Sequence, residues 1–352
     1  MIKAKIIGAS GYGGIGVSEL LLSHPEAEIV ALVGVDPVDV PISDVYPHLS
    51  GYLDMPILAA DDPKAQVDAD VVFMATPDRV GMQLAQSELD KGAKVIDFSG
   101  DFRFNTADTY SDYATRIGLA PDHLAPTLLS DSVYGLTELH RDALKAGPSV
   151  VGNPGCFAVS CLLGLAPAVA AKLVTPDSII CDCKTGVSGA GKKASAAFHF
   201  PARHENMNAY RLSGHQHVCE IEHELGLLSG TDFNVTFTAQ VVPMTRGIMS
   251  TLYGTLSDAC TEADVLEIYR KHYANDPFVR VFSSDSGIGT AHVRGSNRCL
   301  LMVSVDERTH RLRIVSHIDN LMKGQAGSAV QNMNVLFGCP ETMGLDRPGN
   351  YP

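Results

Sequence analysis

The residues with the clearest chemical potential lie in the middle of the chain. Cys156 follows a turn-forming Gly152-Asn-Pro-Gly stretch and precedes an apolar run, residues 158–171, with the length and composition of a helix. A thiol at a helix N-terminus meets free N–H groups and the positive end of the helix dipole, which stabilise thiolate and lower the pKa from about 8.5. Cys156 is therefore a candidate nucleophile, whereas Cys161, Cys260, Cys299 and Cys339 read as small buried residues. Such a thiol needs an acid–base partner. Residues 212–223 offer His215 and His217, with Glu220 three positions after His217 and on its face if the segment is helical. His199, His204, His215, His217, Cys219 and His223 also form a local group of borderline metal ligands. No HExxH or ribbon spacing accompanies them, so no metal is expected.

Two glycine-rich turns and one arginine could handle anions. Gly8, Gly11 and Gly14 have the GxxGxxG spacing, with Gly13 between them, that lets a backbone approach a pyrophosphate and aims the next helix at its charge. Asp36 stands at the end of the following strand, where an acid would hydrogen-bond a ribose 2′-OH. Residues 184–193 (Lys-Thr-Gly-Val-Ser188-Gly-Ala-Gly-Lys192-Lys193) read equally as an anion nest for a leaving phosphate or as a solvated turn with surface lysines. Arg246, at a turn between strands, could clamp a carboxylate or pair on the surface.

These residues need elements to hold them. Strand-like runs at 2–7, 28–35, 69–75 and 94–98 alternate with helical stretches, which predicts a doubly wound parallel sheet with the glycine turn at its first strand–helix junction. After about residue 150 the pattern changes. Runs at 174–184, 234–242, 247–256, 299–305 and 311–318 predict an α+β domain with a mostly antiparallel sheet, and 320–337 reads as a closing helix packed on the first domain. Residues 1–152 and 320–352 are thus expected to form an α/β Rossmann domain, and residues 153–319 a second domain.

Composition sets the outer limits. The 352 residues fit about two domains at roughly 150 residues each. A net charge of −13 repels nucleic acid and anionic lipid, so an anionic ligand must be held by local cations. Eight cysteines without a framework spacing, no apolar leader and no long apolar run point to a reducing cytoplasm and away from a membrane.

Several blocks in order, over nearly the whole chain, resemble the N-acetyl-γ-glutamyl-phosphate reductases, relatives of aspartate-semialdehyde and glyceraldehyde-phosphate dehydrogenases. They are GASGYGG at 8–14, IDFSGDFRF at 96–104, GNPGCF at 152–157, KTGVSGAGKK at 184–193, HQHVCEIEHEL at 215–225, VPMTRG at 242–247 and DNLMKGQAGSAVQNMNVLFG at 319–338. The resemblance implies an NADP-binding Rossmann domain, a catalytic and dimerisation domain, and NADPH-dependent reduction of an acyl phosphate to an aldehyde in arginine biosynthesis. By motif, Cys156 would be the nucleophile and His217 the acid–base. Arg103, Ser188, Lys192, Lys193, Glu220 and Arg246 would meet substrate or phosphate. Ser10 and Tyr12 would join the turn glycines at the cofactor, and Asn332 would face the nicotinamide. A homodimer or homotetramer is implied. Where the family carries a Ser-Arg pair for a 2′-phosphate, this chain has Gly34-Val-Asp36-Pro, which opens the site to NAD. Two other readings stay open: a reductase of aminoadipyl phosphate on a carrier protein, and a nucleotide-sensing relative without catalysis.

Overall fold

The structure is a computed structural model describing residues Met1–Pro352. Two compact units are present. One comprises Met1–Thr115, Leu119–Pro154 and Gln325–Asp346; the other comprises Arg116–Gly118, Gly155–Gly324 and Arg347–Pro352.

In the first unit, β1 (Ile2–Ile7), β2 (Ala27–Val33), β3 (Val40–Pro41), β4 (Pro56–Leu58), β5 (Val71–Met74), β6 (Lys94–Asp97), β7 (Ser132–Tyr134) and β8 (Val150–Gly152) form one sheet. Its order is β3-β4-β2-β1-β5-β6-β8-β7, and only β3–β4 is antiparallel. The chain proceeds outward from β1 in both directions, so the ends of β1 and β5 flank a topological switch point, where open α/β sheets bind ligands. All four residues of β5 are buried, as a parallel strand covered on both faces requires. Helix Gly327–Leu336 packs on helices Tyr12–Leu21 and Thr137–Lys145 of this unit.

The second unit carries β9 (Ile180–Thr185), β10 (Asn208–Tyr210), β11 (Thr236–Val241), β12 (Ile248–Thr255), β13 (Val279–Ser283), β14 (Cys299–Asp306) and β15 (Arg311–Ile318) in the order β10-β11-β9-β12-β15-β14-β13. β9–β11 and β13–β14 are parallel and the other pairs antiparallel. In β12, Ile248, Ser250, Leu252 and Gly254 are buried, while Met249, Thr251, Tyr253 and Thr255 alternate on a half-exposed face. Helix Cys156–Ala170 packs on β12 and β15 and also on helices Gln216–Ser229 and Glu262–His272. That enclosure explains a helix apolar all round, with every residue from Phe157 to Val169 buried. Pro167 removes the N–H that the Leu163 carbonyl would accept. The Tyr273 hydroxyl donates to that carbonyl at 2.5 Å, and Tyr269 donates to the next one, Gly164, at 2.8 Å.

The mixed architecture is the expected one, with local differences. The strand expected from residue 174 starts at Ile180, because Pro176–Ser178 forms a 3₁₀ turn and Val174 makes only an isolated bridge to Leu256. The closing helix begins as a π-helical turn, Met322–Ala326. The three-residue β10 is not anticipated, nor are helices Ala107–Arg116 and Glu262–His272, whose buried faces are only Tyr110, Tyr113 and Ala114 in one and Val265, Leu266 and Tyr269 in the other, within largely polar segments.

Candidate functional site

Cys156 is the first residue of its helix, half-buried, with Gly155 as the extended N-cap. Gly155 is required by crowding: a Cβ there would stand 2.2 Å from His217 Nε2 and 2.9 Å from Glu220 Oε1. The Gly155 N–H donates to Glu220 Oε2 at 2.9 Å, and Glu220 Oε1 lies 3.9 Å from His217 Nε2. One buried carboxylate therefore ties the turn before the thiol to the imidazole beside it. His217 and Glu220 lie three residues apart in helix Gln216–Ser229, which is capped by the ring of His215.

Cys156 and His217 line a cavity of about 560 Å³ in the second unit. Gly186, Gly189 and Ala190, from the loop after β9, form part of its wall. Arg203, Asn208, Tyr210, Arg211, His215 and Gln216 supply its polar lining, and no aspartate or glutamate contributes. Arg203 is 8% exposed. It donates to the carbonyls of Ala197, Asn206 and Val241 and to Asn208 Oδ1, all uncharged, and its Nε has no partner. The exposed Arg211 donates to Gln216 Oε1. In a chain of charge −13, two arginines without an ion pair around one cavity make a local anion site. Burial pushes the Tyr210 hydroxyl pKa up, with Cys156 adding to the rise.

Other expected site residues stand elsewhere. Glu220 is 1% exposed and does not line the cavity; its carboxylate faces the Gly155 N–H and His217 instead. Lys192 and Lys193 are exposed beyond the loop residues that line the cavity. Ser188 is buried and accepts from Asn320 Nδ2 at 2.9 Å. Arg246 pairs with Asp319, Nε to Oδ2 at 3.0 Å, which neutralises the charge expected to clamp a carboxylate. Arg103 belongs to the first unit, where its guanidinium donates to the carbonyls of Asn153 at 2.8 Å and Phe98 at 2.6 Å.

In the first unit Gly8 has φ +84°, and a Cβ on it would lie 2.3 Å from the Ala75 carbonyl oxygen; one on Gly14 would lie 2.4 Å from the Gly8 carbonyl oxygen. Gly11, the N-cap of helix Tyr12–Leu21, has only one such neighbour, at 3.4 Å, so its surface is open to a pyrophosphate. Gly13 packs against Ala75 and Phe98. Tyr12 opens the helix, and the Ser10 hydroxyl reaches the Asp36 carbonyl at 3.4 Å. The exposed Asp36 follows β2, as an acid reading a ribose would. These residues fit a dinucleotide. Asn332 is fully buried in this unit, where its Nδ2 donates to Gly135 O and Asn153 Oδ1 and its Oδ1 accepts from Thr137.

The cavity residues that sequence reading passed over are Asn208, Tyr210 and Arg211. They sit on or beside a three-residue strand too short to register as a pattern, and the only available signal was an arginine close before His215-Gln-His217. No group of metal-ligating side chains converges, and no helix is long and apolar enough to cross a membrane.

Family models for the semialdehyde dehydrogenase NAD-binding domain and the semialdehyde dehydrogenase dimerisation domain match residues 3–147 and 156–320. N-acetyl-γ-glutamyl-phosphate reductase of Citrifermentans bemidjiense is 42% identical over 353 residues, covering 100% of both chains. That of Halalkalibacterium halodurans is 42% identical over 352 residues at the same coverage. Among solved structures, aspartate semialdehyde dehydrogenase II from Vibrio cholerae has a TM-score of 0.71 at 16% identity, over 96% of this chain and 99% of that one. Aspartate semialdehyde dehydrogenase with NADP from Candida albicans has 0.67 at 16%, over 96% and 98%. At that identity the likeness is one of fold.

Proposed function

The chain belongs to the N-acetyl-γ-glutamyl-phosphate reductase family, and we propose that it reduces N-acetyl-γ-glutamyl phosphate to N-acetylglutamate 5-semialdehyde and phosphate, with Cys156 as nucleophile and His217 as acid–base. The observation that carries this reading is a single cavity holding a helix-terminal thiol, an imidazole backed by a buried carboxylate, and two arginines without an acidic neighbour. An acyl phosphate that also bears a carboxylate has the charge such a cavity attracts.

Cys156 attacks the acyl carbon, the new C–S bond replaces the C–O bond to phosphate, and phosphate leaves with that electron pair. Gly8, Gly11 and Gly14 would hold the pyrophosphate of a reduced nicotinamide dinucleotide, which would supply the hydride that reduction of the thioester requires. His217 protonates the resulting oxygen and takes the proton back as the C–S bond breaks, releasing aldehyde and thiolate. The relatives' names do not favour the aminoadipyl reading, and a thiol and imidazole kept in one cavity argue against a sensor without catalysis.

NADP(H) is the proposed cofactor, with NAD(H) admitted through Asp36. Residues 34–44 contain three aspartates and no lysine or arginine to hold a 2′-phosphate. Catalytic efficiency with the two cofactors should be comparable; a thousandfold preference for NADPH would overturn this. The half-exposed face carrying Met249, Thr251 and Tyr253 is proposed to seat a second copy, giving at least twice the 37.5 kDa chain mass by light scattering. The function itself is tested in the oxidative direction. Phosphate-dependent oxidation of N-acetylglutamate 5-semialdehyde should occur in the wild type and vanish in Cys156→Ala, whereas activity retained in the variant excludes the assigned nucleophile.

A further inference from the structure

His215 caps helix Gln216–Ser229 with its ring, its Nδ1 accepting the backbone N–H of His217 at 3.2 Å. A ring nitrogen that accepts carries no proton, so the proton of the neutral imidazole resides on Nε2. The ring is 5% exposed and is boxed by His217, Phe237, Phe157 and Tyr210, with centroids 4.8, 4.9, 5.6 and 5.7 Å away. Its Nε2 has no hydrogen bond within the chain, is not sealed from solvent, and belongs to a residue lining the cavity of Cys156 and His217. Burial first, then the neighbouring His217 and Arg211, push the pKa down to about 2 against the opposing pull of Glu220. A group so weakly basic takes no proton at neutral pH. It is unsuited to acid–base work and suited to donating one fixed hydrogen bond, as neutral electrophilic imidazoles do.

We propose that His215 is a catalytic residue whose neutral Nε2–H donates to the acyl oxygen of the bound acyl phosphate, while His217 alone handles protons. As the Cys156 thiolate forms the C–S bond, the carbonyl π pair moves onto this oxygen. The pair returns as the C–O bond breaks and inorganic phosphate departs with the electrons of that bond. Oxygen carries the developing charge in the transition state, so a donor fixed by its aromatic box acts where it lowers the barrier. This inference rests on the reading of the cavity as the acyl-phosphate site.

His215→Asn tests it, because asparagine keeps an N-cap acceptor for the His217 N–H and withdraws the Nε2 donor. The expected result is a kcat about 100-fold lower with KM changed by less than about threefold, an unaltered thermal midpoint and an unaltered shape of the pH profile. His215→Ala should show the same kcat loss together with a lower thermal midpoint. In ¹⁵N-histidine NMR of the wild type, which needs no variant to fold, His215 should remain the neutral Nε2–H tautomer across the working pH range. An active wild type with His215→Asn kcat within about twofold makes the ring a cap only, since a lost oxyanion donor costs far more. Titration of His215 in the working pH range makes it an acid–base and equally overturns the proposal. A wild type inactive toward the semialdehyde would instead sink the function on which the inference stands.

Discussion

Arg203 is the residue whose circumstances are hardest to explain by folding alone. A buried guanidinium with no carboxylate partner and an unfilled Nε costs stability. Its place in the cavity wall gives that cost a use, as the positive charge facing an anionic substrate. Arg203→Gln should raise KM for the semialdehyde about 10- to 100-fold, the value of a lost charged hydrogen bond, with a smaller change in kcat. Arg203→Lys, which keeps the charge, should lose less. Equal losses in both variants would mean that Arg203 only braces residues 197–208. Residue types and spacing revealed the thiol, the imidazole and the carboxylate, because each has a local signature: a turn before a helix, and an i,i+3 pair within one. The roles of Lys192, Lys193 and Arg246 were not legible in that way. Whether a cation faces a ligand, solvent or Asp319 depends on partners 73 positions away in the case of Arg246.

At the scale of elements, helix Cys156–Ala170 holds the nucleophile in place and contains its own defect at Pro167. Tyr273, at the end of helix Glu262–His272, repairs that defect through the Leu163 carbonyl. Tyr273→Phe should therefore destabilise the protein by about 1–3 kcal/mol in urea unfolding, the cost of a buried carbonyl left unpaired, and an unchanged midpoint would refute the repair. Long apolar runs made this helix, the main strands of both sheets and the closing helix readable from the sequence. Helix Ala107–Arg116 escaped because its apolar face, Tyr110, Tyr113 and Ala114, is narrow within a largely polar segment, and strand β10 because it is three residues long.

At the scale of the molecule, the acidic chain concentrates positive charge in one cavity and, among its several buried carboxyls, holds one in the first unit with an oxygen that has no partner. Asp97, at the end of β6, is fully buried; burial first, then the charge of Asp101, pushes its pKa up to about 8, and its Oδ1 has no hydrogen-bond partner. A carboxyl whose folded pKa exceeds its unfolded value of about 3.9 binds protons more tightly in the native state, so its stabilising contribution is lost as pH rises from there through about 8. The gain in thermal midpoint from Asp97→Asn should consequently be larger near pH 9 than near pH 5, and an equal effect at both would contradict the shift.

The assignment of Cys156 as an acylated nucleophile is tested most directly by withholding phosphate. N-acetylglutamate 5-semialdehyde and oxidised cofactor should then give a burst of about one reduced cofactor per chain and an acyl thioester on the Cys156 peptide, discharged when phosphate is added. Reduced cofactor formed while Cys156 stays unmodified, or an acyl group found on another cysteine, would contradict it.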